Sequence, residues 1–203
     1  MSDSTTTIRW AAAAILVGGV LYALYGVINH LLAPTLVGFL VGNLLGAALL
    51  TVGVTGLHVY LLEQSVPLGR VGRVGLWACI VALVIWTALG LVSVLSLALV
   101  GPTRLVGRAG DIGDFLLVVL FVGSALFGAA LFLRTSVLPR GAALLLVFAS
   151  VLALLPALAD YVLEDIPIWV FEFFRVVYGA AWAWVGYNLW VAREAAAPRA
   201  RVR

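Results

Sequence analysis

Long runs of apolar residues, separated by short polar or charged segments, dominate this chain. No charged residue occurs between Arg9 and Glu63, and the segment at residues 29–35 divides that run in two. None of the runs shows the period-two alternation of a half-buried strand, and a membrane-spanning helix needs about 20 residues. The pattern predicts six spans, at residues 10–30, 36–62, 74–100, 115–133, 142–159 and 169–191.

The composition agrees with a membrane protein. Only 10% of the 203 residues are charged and 65% are hydrophobic, whereas a soluble domain carries about 25% charged residues. Because hydrocarbon cannot satisfy backbone hydrogen bonds, only helices or closed barrels cross a bilayer. We therefore predict an all-α, polytopic transmembrane bundle that forms a single integral domain over residues 1–203, with the lipid bilayer as its main partner.

Arginine gathers at one end of the predicted spans. With six spans both termini share a side, and that side collects Arg9, Arg70, Arg73, Arg134, Arg140, Arg193, Arg199, Arg201 and Arg203. The positive-inside rule then predicts cytoplasmic N and C termini in a multi-pass protein of the cell membrane. The formal net charge of +3 reflects these inner segments, so we expect no nucleic-acid partner.

Carboxylates gather at the opposite end, before and within the sixth span. Asp160 and Glu164 are four residues apart and share a face if the fifth helix continues through them. Glu172 and Arg175 are three residues apart on the sixth span and can pair there. Because a charge at membrane depth is costly unless it is partnered or hydrated, this pattern predicts an outward-facing acidic vestibule that binds a small solute or cation.

Simpler interpretations of the same residues stay open. Glu172 and Arg175 can reach the lipid headgroups if they face outward, and the loop carboxylates can simply be hydrated. A further option is a site in which His30, at the outer end of the first span, lies beside Asp160 or Glu164. The candidate ligand-binding residues are therefore Glu172, Arg175, Asp160, Glu164 and His30.

Small residues form stripes on two of the spans. At about 100° per residue, one face of the second span carries Gly38, Gly42, Gly46, Gly53 and Gly56. On the sixth span, Gly179, Ala183 and Gly186 share a face with the charged pair. Such stripes let helix backbones approach closely, so they predict helix packing within the chain, in a homo-oligomer or against a membrane partner.

The sequence gives little support to catalytic chemistry. The chain has no lysine, which excludes a Schiff base with retinal or pyridoxal phosphate, and Cys79 is its single cysteine. His30 and His58 fall at opposite ends of their spans and cannot share a metal. We expect no cofactor and no metal site.

Two local patterns were compared with catalytic motifs. The segment GRAGDIGDF at residues 107–115 resembles the GxGD motif of intramembrane aspartyl proteases, but Asp111 stands where the motif has its first glycine, and the partner YD motif is absent. We expect Asp111 and Asp114 to cap the start of the fourth span instead. Ser124 lacks the flanking pattern of rhomboid proteases and is assigned to packing.

Three functions follow in order of support. The first is a non-enzymatic membrane protein that binds or transports a small solute or cation through the acidic vestibule. The alternative is a structural or regulatory membrane subunit, and the second alternative is a lipid-modifying membrane enzyme. Transport predicts a hydrated path toward the membrane midplane, a subunit predicts a dry, closed bundle with an exposed small-residue groove, and an enzyme predicts polar groups converging at a membrane interface.

Overall fold

The described part of the chain is entirely helical. The computed structural model describes residues 3–32, 39–99, 104–135, 137–159 and 167–196. Their helices are α1 (Asp3–Leu32), π1 (Phe39–Gly46), α2 (Ala47–Glu63), α3 (Gly69–Leu99), α4 (Arg104–Arg134), α5 (Arg140–Ala159) and α6 (Ile168–Ala196), with π1 continuing directly into α2. The prediction of an all-α protein is confirmed over these residues.

Five of the described helices contain a segment that is long and apolar enough to cross a membrane. These segments are Thr6–Tyr25, Leu40–Glu63, Gly69–Ser96, Ile112–Arg134 and Arg140–Ala159. Large apolar side chains on their outer faces are exposed, as expected for a membrane protein whose surface meets lipid. Helix α6 is not among these five, although it is 29 residues long. The sixth span stays a prediction.

The helices form a closed ring. Each described helix packs against its neighbour in sequence, and α6 returns to pack along α1. Large side chains fill the interior of the ring, including Trp182 and Tyr178 from α6, Phe127 from α4 and Tyr22 from α1, all fully buried or nearly so. The rings of Phe127 and Trp182 stack with centroids 6.5 Å apart. Side chains of α4 and α6 thus meet in the middle of the bundle.

Two helix pairs cross at facing glycines. At the α1–α6 crossing, a Cβ built on Gly19 would lie 2.7 Å from the carbonyl oxygen of Gly179, and the reciprocal distance is also 2.7 Å. Gly75 of α3 and Gly123 of α4 make the same kind of contact, with corresponding distances of 2.7 and 2.9 Å. Neither crossing has room for a larger side chain unless the backbones move apart. The small-residue stripe of α6 therefore faces α1.

The glycine stripe of the second predicted span also meets α1. Gly42 lies directly on the Tyr25 side chain, and a Cβ at Gly53 would lie 2.7 Å from the backbone nitrogen of Ile15. Further contacts with α1 come from Gly46 and Gly56, whereas Gly38 lies outside the described residues. The described glycines of this stripe are thus covered within the chain.

Candidate functional site

A buried ion pair lies near the start of α6. The side chain of Glu172 is 6% exposed and that of Arg175 is 16% exposed. Nη1 of Arg175 donates to both carboxylate oxygens of Glu172, each at 3.2 Å. The spacing of three residues places both side chains on one face of the helix. In this structure the pair lies inside the bundle and not on its lipid-facing surface.

Aromatic and acidic residues from other helices surround this pair. The Arg175 guanidinium lies over the ring of Tyr25 from α1, with Cζ 4.9 Å from the ring centroid, a favourable cation–π arrangement. Asp114, near the start of the apolar part of α4, interacts electrostatically with the same guanidinium. Two carboxylates therefore act on one guanidinium at this site.

Tyr22 contributes a hydroxyl that the fold leaves unpaired. The residue is 1% exposed, and its Oη has no hydrogen-bond partner among the described residues. The Arg175 guanidinium is close to this hydroxyl but is not aligned for a hydrogen bond of good geometry, and the Glu172 charge also acts on it electrostatically. A buried polar group without a partner costs about 1–3 kcal/mol, so this hydroxyl is a place where water or a bound solute gains a hydrogen bond.

A second polar cluster lies farther along α6, on the side of the helix that meets α3 and α4. The hydroxyl of Tyr178 is 2.6 Å from Oγ of Ser124 on α4, and that oxygen is 3.3 Å from Sγ of Cys79 on α3. All three residues are fully buried. The ring of Tyr178 meets that of Tyr22 edge-on, with centroids 5.9 Å apart. Ser124 therefore belongs to a buried, hydrogen-bonded cluster. Its polar neighbours in that cluster are the phenol of Tyr178 and the thiol of Cys79, and neither is a histidine base.

Sequence reasoning missed Tyr178 and the position of Asp114. Tyr178 follows Arg175 by three residues, which puts it about 60° from Arg175 and about 120° from Glu172 around the helix. A helical wheel centred on the charged pair therefore places it beside that face and not on it. Asp114 was expected only to cap a helix, and nothing local indicated that it lies near Arg175. That proximity depends on how α4 and α6 pack, which the sequence pattern does not specify.

The remaining predicted site residues are not placed by the structure. Asp160 and Glu164 lie outside the described residues, and so does the side chain of His30, although its backbone belongs to α1. Within the described ranges, no three His, Cys, Asp or Glu side chains are close enough to hold a metal ion. The structure therefore brings together Glu172 and Arg175 and leaves the other three candidates as predictions.

Comparisons with protein-family models, with curated proteins and with solved structures found no match. Any functional assignment rests on the residues of the chain itself. The described site offers carboxylates, a guanidinium and phenols, which can hold charge and exchange hydrogen bonds. Its described residues do not pair a nucleophile with a histidine base.

Proposed function

We propose that this protein is a six-span membrane protein of the cell membrane, with cytoplasmic termini, that binds or transports a small solute or cation from the outer side. The supporting observation is the buried Glu172–Arg175 pair, which shares its site with the Asp114 carboxylate and the unpaired Tyr22 hydroxyl. Two carboxylates against one guanidinium favour a cationic or zwitterionic solute.

The solute binds by replacing Arg175 as the partner of a carboxylate at the Glu172–Arg175 pair. Arg175 is held on the ring of Tyr25 while the incoming cationic group takes its place beside Glu172 or Asp114, and the Tyr22 hydroxyl accepts a hydrogen bond from the solute. Because Glu172 is only 5% exposed, entry requires a movement of side chains or of α1 against α6. For transport, the solute continues toward the hydroxyls of Tyr178 and Ser124.

Ligand-dependent stability tests the binding step. Detergent-purified protein is examined by native mass spectrometry for retained solutes, and its thermal unfolding is followed with sodium, magnesium, tetramethylammonium and spermidine chlorides at constant ionic strength. One class of cation should raise Tm saturably, since a ligand that binds only the folded state stabilises it. The same cation, placed outside proteoliposomes, tests transport.

A matched pair of variants assigns that effect to the site. The Glu172→Gln/Arg175→Gln double variant should lose the shift in Tm, whereas Glu63→Gln, which removes an exposed carboxylate at the other end of the bundle, should keep it. An unchanged shift in the double variant contradicts the proposed site. Absence of any shift across the panel contradicts cation binding.

Cysteine accessibility tests the orientation. In a Cys79→Ala background, an impermeant maleimide should label Glu164→Cys in intact cells. It should label Gln64→Cys, which replaces an exposed residue after α2, only once the membrane is permeabilised. The positive-inside distribution of arginine carries this expectation, and the reverse labelling pattern would overturn it.

A second candidate function, a structural or regulatory subunit, is favoured by a different observation. An apolar groove of about 470 Å³ runs between α1 and α6, with Ala23, Ala180 and Ala183 among its lining residues. A photo-crosslinker at Ala180, which is exposed, tests it in native membranes. A discrete protein adduct supports the subunit, and adducts with lipid alone oppose it.

A further inference from the structure

A cavity separate from the proposed solute site lies at the arginine-rich end of the bundle. The chain leaves α2 after Glu63 and enters α3 at Gly69, with left-handed backbone at Ser65 (φ 50°) and Gly69 (φ 68°). This turn encloses a cavity of about 270 Å³. Its apolar wall includes Leu61, Leu62 and Leu68, and its polar groups come from His58, Ser65 and Arg73.

The His58 ring in this cavity is held in place by an aromatic neighbour, but one of its nitrogens lacks a hydrogen-bond partner among the described residues. The ring of His58 packs edge-on against Trp77, with centroids 5.1 Å apart and planes at 67°. Its Nδ1 is buried and has no hydrogen-bond partner among the described residues. When the proton is on Nε2, Nδ1 is an acceptor that requires a donor. His58 therefore brings to the wall of the cavity a ring nitrogen that no described residue satisfies and that accepts a hydrogen bond in this tautomer.

The cationic group in the cavity is uncompensated. Arg73 is exposed and forms no ion pair with the described acidic residues. Arg70, Arg134 and Arg140 are exposed at the same end, and the Arg134 guanidinium lies so near Gly69 that a Cβ there would be 2.7 Å from its Nη1. Glu63 is a carboxylate at the same end whose side chain is described and exposed. The resulting positive potential attracts anions, and basic pockets of this kind bind lipid headgroups.

We propose that this cavity binds the headgroup of an anionic phospholipid that carries a free hydroxyl, as phosphatidylglycerol does. The phosphate lies against the Arg73 guanidinium and the Ser65 hydroxyl, and a headgroup hydroxyl donates to Nδ1 of His58. The glycerol and proximal acyl carbons lie along Leu62, whose surface is 61% exposed. A single lipid then accounts for three kinds of contact, which are to its phosphate, to its headgroup hydroxyl and to its apolar part.

Native mass spectrometry of the delipidated full-length protein, titrated with defined lipids, measures this binding. Phosphatidylglycerol should bind at one saturable site about tenfold more tightly than phosphatidylcholine, which is about 1.4 kcal/mol. Phosphatidylmethanol, which has the same charge but no headgroup hydroxyl, should fall between them. Inorganic phosphate and glycerol 3-phosphate should compete poorly. Equal affinity for phosphatidylcholine would overturn the anion site, and efficient competition by inorganic phosphate would overturn the lipid ligand.

Variants locate the site within the arginine-rich end. Arg73→Gln should weaken phosphatidylglycerol binding about tenfold, as expected for loss of a charge-assisted hydrogen bond, whereas Arg140→Gln removes an exposed arginine that does not line the cavity and should bind nearly as the wild type does. Equal losses in both variants would show that only the general surface charge matters, and would overturn the proposal.

Two milder substitutions keep the test valid if Arg73→Gln fails to fold. Ser65→Gly removes the hydroxyl and suits the positive φ at that position, so it should fold and bind phosphatidylglycerol several-fold more weakly. His58→Phe keeps an aromatic ring against Trp77 and should abolish the preference for phosphatidylglycerol over phosphatidylmethanol. If neither substitution changes lipid binding, the cavity is not the site.

Discussion

The two ends of the bundle differ in whether their charged side chains are buried and paired. At one end, Glu172 and Arg175 lie inside the bundle and satisfy each other. At the other end, Arg73, Arg134 and Arg140 are exposed, and none pairs with a described carboxylate. A buried charge that loses its partner is strongly penalised, whereas an exposed charge is hydrated and remains available to solutes or lipids. The contrast teaches that substitutions at the first end should lower stability as well as affect solute binding, whereas those at the second end should affect lipid binding with little effect on stability.

The sharpest test of this contrast is Glu172→Gln, which removes the carboxylate that is hydrogen-bonded to the buried Arg175 and leaves only the electrostatic interaction with Asp114. It should lower the free energy of unfolding by about 3–5 kcal/mol, while the Glu172→Gln/Arg175→Gln double variant should cost less because it removes both charges. Denaturation of the detergent-solubilised protein by SDS, followed by circular dichroism, measures both values. Small and equal losses would mean that the pair is solvated, and that the two ends do not differ.

Next in size is a comparison of two glycines, one at each end. Gly42→Leu places a side chain onto Tyr25, the residue that supports Arg175, so overpacking should cost about 1–3 kcal/mol or more. Gly141→Leu is the control, since a Cβ at Gly141 meets nothing within 4 Å, and leucine has a higher helix propensity than glycine. Thermal unfolding and size-exclusion profiles compare the variants. Similar behaviour of both would mean that π1 does not pack against α1 as described.

A smaller effect distinguishes the two buried tyrosines of the acidic end. Tyr22→Phe removes a hydroxyl with no partner among the described residues and should be neutral or stabilising by up to about 1 kcal/mol. Tyr178→Phe breaks the 2.6 Å hydrogen bond to Ser124 and should be destabilising by about 1 kcal/mol. The same unfolding assay measures both. A loss in Tyr22→Phe that matches the loss in Tyr178→Phe would show that the Tyr22 hydroxyl is satisfied in solution.

The smallest expected effect is at the arginine-rich end. In lipid-free detergent, Arg73→Gln should change the free energy of unfolding by less than about 0.5 kcal/mol, because it removes an exposed charge without a partner among the described residues. Addition of phosphatidylglycerol should then stabilise the wild type more than the variant. A large loss without lipid would place Arg73 in a structural role and would weaken the contrast between the ends.

Hydrophobic pattern was sufficient to predict the helices and several of their faces. Five charge-poor runs correspond to five apolar helices. The wheel of α6 groups Gly179 with the charged pair, because that face is a property of one helix alone. The hydrophobic pattern does not predict which residues of other helices a given face contacts. Nothing near Ser124 or Cys79 indicates that Tyr178 joins them, since their contact is created only when α3, α4 and α6 pack together. The π-helical turn at residues 39–46 likewise departs from the 3.6-residue period that the wheel assumes.

The crossing of α1 and α6 at Gly19 and Gly179 has a consequence for biogenesis. Among the described helices α1 is synthesised before all others and α6 after them, and the two pack closely through Gly19 and Gly179. The ring therefore cannot close until α6 has been made. Until then, α1 can pair with α2 through the glycines of that helix, but its other side stays open to lipid or to membrane chaperones. Late, long-range closure of this kind makes assembly slow and sensitive to interruption, and a chain halted before α6 would expose a seam along α1 that another membrane helix can occupy.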